Sequence, residues 1–275
     1  MTTTTIAAAT RGVPAHPVRA GWLTQAAQIT GRWLTNTRRQ VWGAAFSLVQ
    51  PIVWILLFGQ VFSSLGKLPG FGDTGYATFL VPGVLMMTVL YGGAWAGTGY
   101  IDDMKSGVMD QLLTAPVART AIITGQLVQQ LVICLAQSIV VLLIGWLGGA
   151  SYPGGIGGMA LALLVALLLG AIFCSLSTAV ALTARSHVAL IGISQIVVLP
   201  ATFLSSTMMP ASLMPEWVQN VSKYNPMTWS VDLARNTLAG TVDASALWHV
   251  GGLLVLGVLA YIWSVRALRA YQRSL

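Results

Sequence analysis

The sequence predicts an all-α integral membrane protein. Six transmembrane helices are joined by an N-terminal interfacial helix, a short helix on the cytoplasmic face and two short extracellular helices before the last span. Three observations carry this. The chain of 275 residues is 56% hydrophobic and only 8% charged, whereas a soluble domain carries about 25% charged residues. Six apolar stretches approach the roughly 20 residues that cross a bilayer core. The basic residues alternate between the connections, as a polytopic protein requires. Residues 1–20 read as a disordered lead without the apolar core of a signal peptide. Residues 21–275 read as a single transmembrane domain.

In chain order, Gly21–Gln40 comes first. Trp22, Ala26, Ile29 and Trp33 recur at helical spacing, with Gln25, Gln28, Arg32 and Arg39 opposite. An apolar stripe with Trp against a basic and amide face describes a helix lying in the membrane interface. Its simplest role is a juxtamembrane anchor; a sharper one is to pass on motion from a cytoplasmic partner.

The spans follow at Val41–Phe62, Tyr76–Gly99, Ala121–Leu147, Gly157–Leu182, Val188–Met209 and Ala246–Val265. Pro153 and its glycine neighbours break the third from the fourth. Pro51, Pro82 and Pro200 are expected to bend their helices. Gly93-xxx-Gly97 and Ala171-xxx-Ser175 suit close helix contact. Gln126, Gln130 and Gln137 share a face of the third span, and Gln195 with Ser194 marks the fifth. Amides are unsatisfied in lipid, so these faces look at protein or at a wet path. They either bond across helices or line a substrate route. Before the last span, Glu216 opens one short helix and Asn225-Pro226 caps a second that stops near Gly240.

The charges set the sidedness. Arg32, Arg38, Arg39, Lys105, Arg119, Arg185, Arg266, Arg269 and Arg273 fall on one side; Lys67, Lys223 and Arg235 fall on the other. Cytoplasmic flanks collect Lys and Arg, so both termini are expected in the cytoplasm of a multi-pass protein of the inner or plasma membrane. The net charge of +7 therefore reflects topology and does not indicate nucleic acid.

The composition excludes several chemistries. None of the seven carboxylates lies in a span, nor does any Lys or Arg. Ion-coupled carriers generally need such groups. His16, His187 and His249 have no ligand spacing, so no metal site or catalytic constellation is expected. No G-x-x-x-x-G-K-[ST] occurs, so the chain is expected to bind no nucleotide by that motif. Cys134 and Cys174 sit inside spans and read as small hydrophobes.

One stretch concentrates the acids: IDDMKSGVMDQLLTAPVART, residues 101–120, with Asp102, Asp103 and Asp110. It reads as a short cytoplasmic helix, its early acids at the positive dipole end and its stop before Ala115-Pro116. Either it docks a soluble protein or it is a solvated loop. Lys105, Gly107, Leu112, Leu113, Pro116, Arg119 and Gly125 give this segment a form that resembles the cytoplasmic loop of type-2 ABC exporter permeases. Met214-Pro215 through Asn225-Pro226 to Arg235 resembles that family's outer re-entrant helices. The likeness is nearest to the daunorubicin-resistance, multidrug kind, and covers nearly all the chain past residue 20. Lys105 stands where many members have Arg, and Asp stands for the usual Glu.

That resemblance implies the permease half of an ATP-driven exporter, not itself an enzyme. Two copies pair, each docking a separate ATP-binding subunit that holds ATP and magnesium, so this chain needs no cofactor. Residues 102–116 become the coupling helix, with the 21–40 helix beside it and lipid around. The cargo is expected to be a hydrophobic or amphipathic drug or lipid-like molecule. A polysaccharide or glycolipid exporter of the same superfamily and a non-transporting scaffold are the alternatives.

Overall fold

The structure, a computed structural model, describes residues 21–39, 48–61, 76–241 and 245–274. The lead, the first seven residues of the first predicted span, and Lys67, Asp73 and Asp243 lie outside the described residues. Those described are helical and contain no strand. They form α1 (Trp22–Arg39), α2 (Leu48–Val61), α3 (Tyr76–Trp95), α4 (Thr98–Lys105), α5 (Val108–Thr114) and α6 (Arg119–Leu147). After these come α7 (Gly155–Ala184), α8 (His187–Phe203), α9 (Glu216–Ser222), α10 (Pro226–Ala239) and α11 (Ser245–Arg273).

Four helical segments among the described residues are long and apolar enough to cross a membrane: Tyr76–Lys105, Arg119–Leu147, Gly155–Ala184 and Ala246–Arg273. Two predicted spans are shorter. α2 carries a π-helical turn at Trp54–Phe58. α8 has 17 residues, about 26 Å at 1.5 Å per residue, against a hydrocarbon core of about 30 Å. The fifth span is predicted to run to Met209. Instead α8 stops at Phe203, and a turn through Ser205, Ser206 and Thr207 follows. That turn presses on α3 so closely that a Cβ at Gly83 would lie 2.4 Å from the Thr207 carbonyl oxygen.

α3 lies in the most buried of the long apolar segments, packed by α6, α7, α8 and α10. Small residues allow it: a Cβ at Gly93 would lie 3.0 Å from the Gly170 carbonyl oxygen, and one at Gly97 would lie 2.4 Å from that of Ser177. Backbone approach of this kind is how helices associate where lipid removes the hydrophobic drive.

The predicted span Tyr76–Gly99 is not one continuous helix. It breaks between Trp95 and Thr98, freeing backbone groups that lipid cannot satisfy. Three other helices satisfy them. Ser177 Oγ donates to the Ala94 carbonyl (2.6 Å) and accepts from Gly97 N–H (3.0 Å). Ser194 Oγ also donates to Ala94 (3.1 Å), and Gln126 Nε2 donates to the Ala96 carbonyl at 2.6 Å.

The ends of the bundle are tied differently. At one end, Gly154 N–H donates to the Leu238 carbonyl (2.8 Å), and a Cβ at Gly158 would lie 2.2 Å from the Thr237 carbonyl oxygen. The α6–α7 turn thus rests on α10. Asn225 caps α10 as expected, its Oδ1 accepting from Met227 N–H at 2.9 Å. Gly240 ends α10 with φ +77°. α11 continues eight residues beyond the predicted Val265, so Arg266, Arg269 and Arg273 are helical.

Candidate functional site at the charged end

The opposite end gathers Arg32, Asp102, Asp103, Lys105, Asp110, Arg119, Arg185, His187 and the basic turns of α11. The acidic stretch expected as one helix is two helices with an elbow. Asp102, Asp103 and Lys105 belong to the last turn of α4. The two acids therefore sit at the negative end of a helix dipole, not the expected positive end. Gly107 follows at φ +73°, and a Cβ placed on it would meet nothing within 4 Å; α5 begins at Val108. A non-glycine residue would be strained in that left-handed conformation. Pro116 lies in the extended link to α6.

Partners explain why acids end α4. Arg32 donates to Asp103 twice, Nη1–Oδ1 at 3.2 Å and Nη2–Oδ2 at 2.5 Å. Asp102 Oδ1 lies 3.0 Å from His187 Nε2 at the start of α8. An ion pair and a carboxylate–imidazole contact therefore fasten the end of α4 to α1 and α8. Asp110, Lys105, Gln111, Pro116 and Arg119 are exposed, whereas Met109 is fully buried and Leu112 and Leu113 are half-buried. α5 thus has an inner apolar face and an outer polar one.

α1 holds the elbow from the side. Its apolar stripe, expected to face the membrane interface, is buried against protein at Ala26, Ile29 and Trp33. The seats are glycines: a Cβ at Gly125 would lie 2.6 Å from Ile29, and one at Gly99 would lie 2.6 Å from the Trp33 ring. Trp33 meets Tyr100 edge-to-face at 5.9 Å. Gln25, assigned to the polar face, accepts from Ala118 N–H at 2.8 Å. Trp22 Nε1 donates to Thr120 Oγ1 at 3.0 Å, its ring remaining partly exposed. Gln129, which periodicity does not single out, donates to Thr37 Oγ1 at 2.9 Å.

The glutamine face divides. Gln126 bridges the α3–α4 break and accepts from Thr178 Oγ1 at 3.1 Å. Gln130 Nε2 points to Cys134 Sγ at 3.5 Å on its own helix. Gln137 borders a cavity of about 80 Å³ shared with Gln50, Trp54, Thr88, Tyr91 and Trp95. Gln195 Oε1 is buried without a hydrogen-bond partner among the described residues. Among the same residues no group of His, Cys, Asp and Glu could hold a metal ion.

At the other end, Arg235 is the counterpart of the elbow's ion pair. Its Nη2 donates to the carbonyls of Ser206 (2.6 Å) and Thr207 (3.2 Å), and its guanidinium lies 3.7 Å from the centre of the Phe79 ring. Burial lowers its pKa to about 10, and Asp232 at 3.5 Å opposes that fall.

The described residues thus form a bundle of apolar helices with a fastened, polar elbow at one end, as a membrane-embedded protein would. The chain belongs to the ABC-2 type transporter family, whose pattern matches residues 24–239. A transport permease called ycf38 from Porphyra purpurea is 28% identical over 207 residues, 74% of this chain and 71% of that one. The daunorubicin resistance ABC transporter permease protein DrrB1 of Streptomyces coeruleorubidus is 27% identical over 233 residues, 82% of this chain and 78% of that one. Nodulation protein J of Rhizobium leguminosarum bv. viciae is 25% identical over 233 residues, covering 81% and 85%. The resemblance read from residues 102–127 thus holds for the family.

Proposed function

We propose that the chain is the permease subunit of an ATP-driven exporter, moving a hydrophobic or amphipathic drug or lipid-like molecule outward. It crosses the membrane six times with both termini in the cytoplasm, pairs with a second copy, and takes its force from a separate ATP-binding subunit. That subunit carries ATP and magnesium. The observation that carries this reading is the elbow. Asp110, Gln111 and Lys105 present a polar surface, while Met109 beneath them is fully buried and Arg32 clamps Asp103. A push on that surface is transmitted because the layer beneath it is close-packed. α1 and α6 receive it through Arg32, Gln25 and Ile29. Likeness to the daunorubicin resistance permease supports the cargo class. Inside the spans, cargo would meet the amide, hydroxyl and aromatic lining around Gln137, which offers hydrogen bonds without charge.

The test is ATP hydrolysis by the permease reconstituted with an ATP-binding subunit from its own genome. A panel of hydrophobic compounds should stimulate hydrolysis. Leu113→Asp, or the exposed pair Asp110→Lys and Gln111→Arg, should abolish the stimulation while the permease still inserts. Stimulation unchanged in both variants would remove the elbow from the mechanism.

A further inference from the structure

Three of the arginines at the ends of the bundle are used within the chain. Arg32 pairs with Asp103, Arg235 with Asp232, and Arg185 lies 4.6 Å from the centre of the Tyr271 ring and donates to Ser274. Arg119 and Arg269, like Arg38, Arg266 and Arg273, are not used in this way, but these two share a groove. Neither has an ion pair or side-chain hydrogen bond among the described residues, yet both line one groove of about 330 Å³. Two like charges facing a shared space repel unless an anion lies between them.

The groove combines basic, hydroxyl and apolar walls. Leu112 and Leu113 from α5 form an apolar wall; Arg119 and Thr120 open α6; Arg269 and Gln272 come from the last turns of α11. Among the described residues no acid lines it; Asp110, the nearest acid along α5, makes no ion pair with either arginine. Thr120 Oγ1 already accepts from Trp22, leaving its own proton to donate. The groove sits at the start of the 29-residue α6, whose dipole is positive there. It also sits at the ends of two helices long enough to span a bilayer, and headgroups flank the hydrocarbon core that such helices cross. Basic pockets between spanning helices take anionic lipid headgroups.

We propose that this groove binds the phosphate headgroup of an anionic phospholipid in the leaflet at the charged end. Arg119, Arg269 and Thr120 hold the phosphate, and Leu112 and Leu113 face the first carbons of the chains. Bound lipid then bridges α5, α6 and α11, so that lipid composition tunes how stiffly the elbow is held. The inference rests on the permease reading only in placing this end at a bilayer surface.

The experiment is native mass spectrometry of the full-length permease in detergent, without an ATP-binding subunit, titrated with phosphatidylglycerol, phosphatidylcholine or inorganic phosphate. Wild type should retain phosphatidylglycerol in preference to phosphatidylcholine. The double variant Arg119→Gln, Arg269→Gln should weaken phosphatidylglycerol on the order of tenfold and leave phosphatidylcholine unchanged. Arg38→Gln, exposed and outside the groove, should behave as wild type. Equal retention of the two lipids by wild type would overturn the proposal, as would unchanged binding by the double variant. Displacement of phosphatidylglycerol by millimolar phosphate would assign the groove to a soluble anion instead. Lipid-binding failure is read on the permease alone, and coupling failure on the reconstituted pair, so the two readings fail separately. A double variant that keeps phosphatidylglycerol but loses the ATP-binding subunit would make the groove a docking surface and end the lipid assignment.

Discussion

Arg32 and Asp103 face each other across the junction of α1 and α4 with two parallel N–H···O bonds, 3.2 and 2.5 Å. Asp103 is the better shielded partner, 14% exposed against 36% for Arg32. Two-pronged geometry and partial burial set this pair apart from an ordinary surface bridge, which contributes about 0–1 kcal/mol. Arg32→Ala and Asp103→Ala should each destabilise by about 1–2 kcal/mol, with a coupling of about 1 kcal/mol in a double-mutant cycle. Thermal unfolding of the four proteins in detergent measures it; additive losses would mean the two side chains act independently.

Gly107 carries the elbow's positive φ in open space. The cost of a side chain there is therefore backbone strain without collision. Gly107→Ala should lose about 1 kcal/mol, and Gly107→Asn less, because Asn tolerates the left-handed region. Gly107→Pro should do worst, since it also removes the N–H that donates to the Met104 carbonyl at 3.3 Å. Denaturation midpoints that rank Asn below Ala would contradict this.

Two glycines separate packing from propensity. A Cβ at Gly97 would lie 2.4 Å from a backbone oxygen of α7, whereas one at Gly31 in α1 meets nothing within 4 Å. Gly97→Ala must push helices apart and should cost about 1–3 kcal/mol. Gly31→Ala should stabilise by about 0.5–1 kcal/mol through helix propensity. The same melting assay reads both, and a harmless Gly97→Ala would show that α3 and α7 are not in close contact.

Gln126 is assigned to holding a broken helix. Gln126→Leu leaves the Ala96 carbonyl and the Thr178 hydroxyl without their bonds. A loss of about 1 kcal/mol is expected, in line with hydrogen bonds between membrane helices. Hydrogen exchange of the amides around residues 96–100 should quicken in the variant. Unchanged exchange there would leave the glutamine with no structural duty at the break.

Arg235 is the latch at the other end. Its side chain is 18% exposed, so Arg235→Met leaves three carbonyls without its bonds, while Asp232, 41% exposed, keeps the Ser206 hydroxyl; a loss of about 1–3 kcal/mol is expected. Burial lowers the pKa of Arg235 to about 10, so between that value and its ordinary range the unfolded chain binds more protons and stability rises with pH. Across about pH 6–8 both states keep the charge, and this latch should contribute no pH dependence. A steep pH dependence there that vanishes in Arg235→Met would contradict the assignment.

Much of this was legible along the chain because its causes are local. The Gly148–Gly154 turn, the Asn225 cap and the Gly240 stop each act through their own backbone, so residue type alone locates them, whereas Gly107 reads from the sequence as the middle of one helix and is an elbow between two. The break at Ala96 was not legible. Its flanking pattern is continuously apolar, and the groups that make it tolerable, Ser177, Gln126 and Ser194, come from three other helices. The α1 stripe misled in another way. A face of Ala26, Ile29 and Trp33 is equally suited to lipid or protein, and only the glycine seats at Gly99 and Gly125 decide between them.

By itself, then, the sequence determined the membrane class, the helical fabric and the elbow segment, since hydropathy and turn chemistry depend on neighbours in the chain. Tertiary structure alone decided which acids pair and which stay free. Asp103 is committed to Arg32 and Asp102 to His187, while Asp110 faces outward, because charge pairing depends on distances between helices that no local pattern encodes.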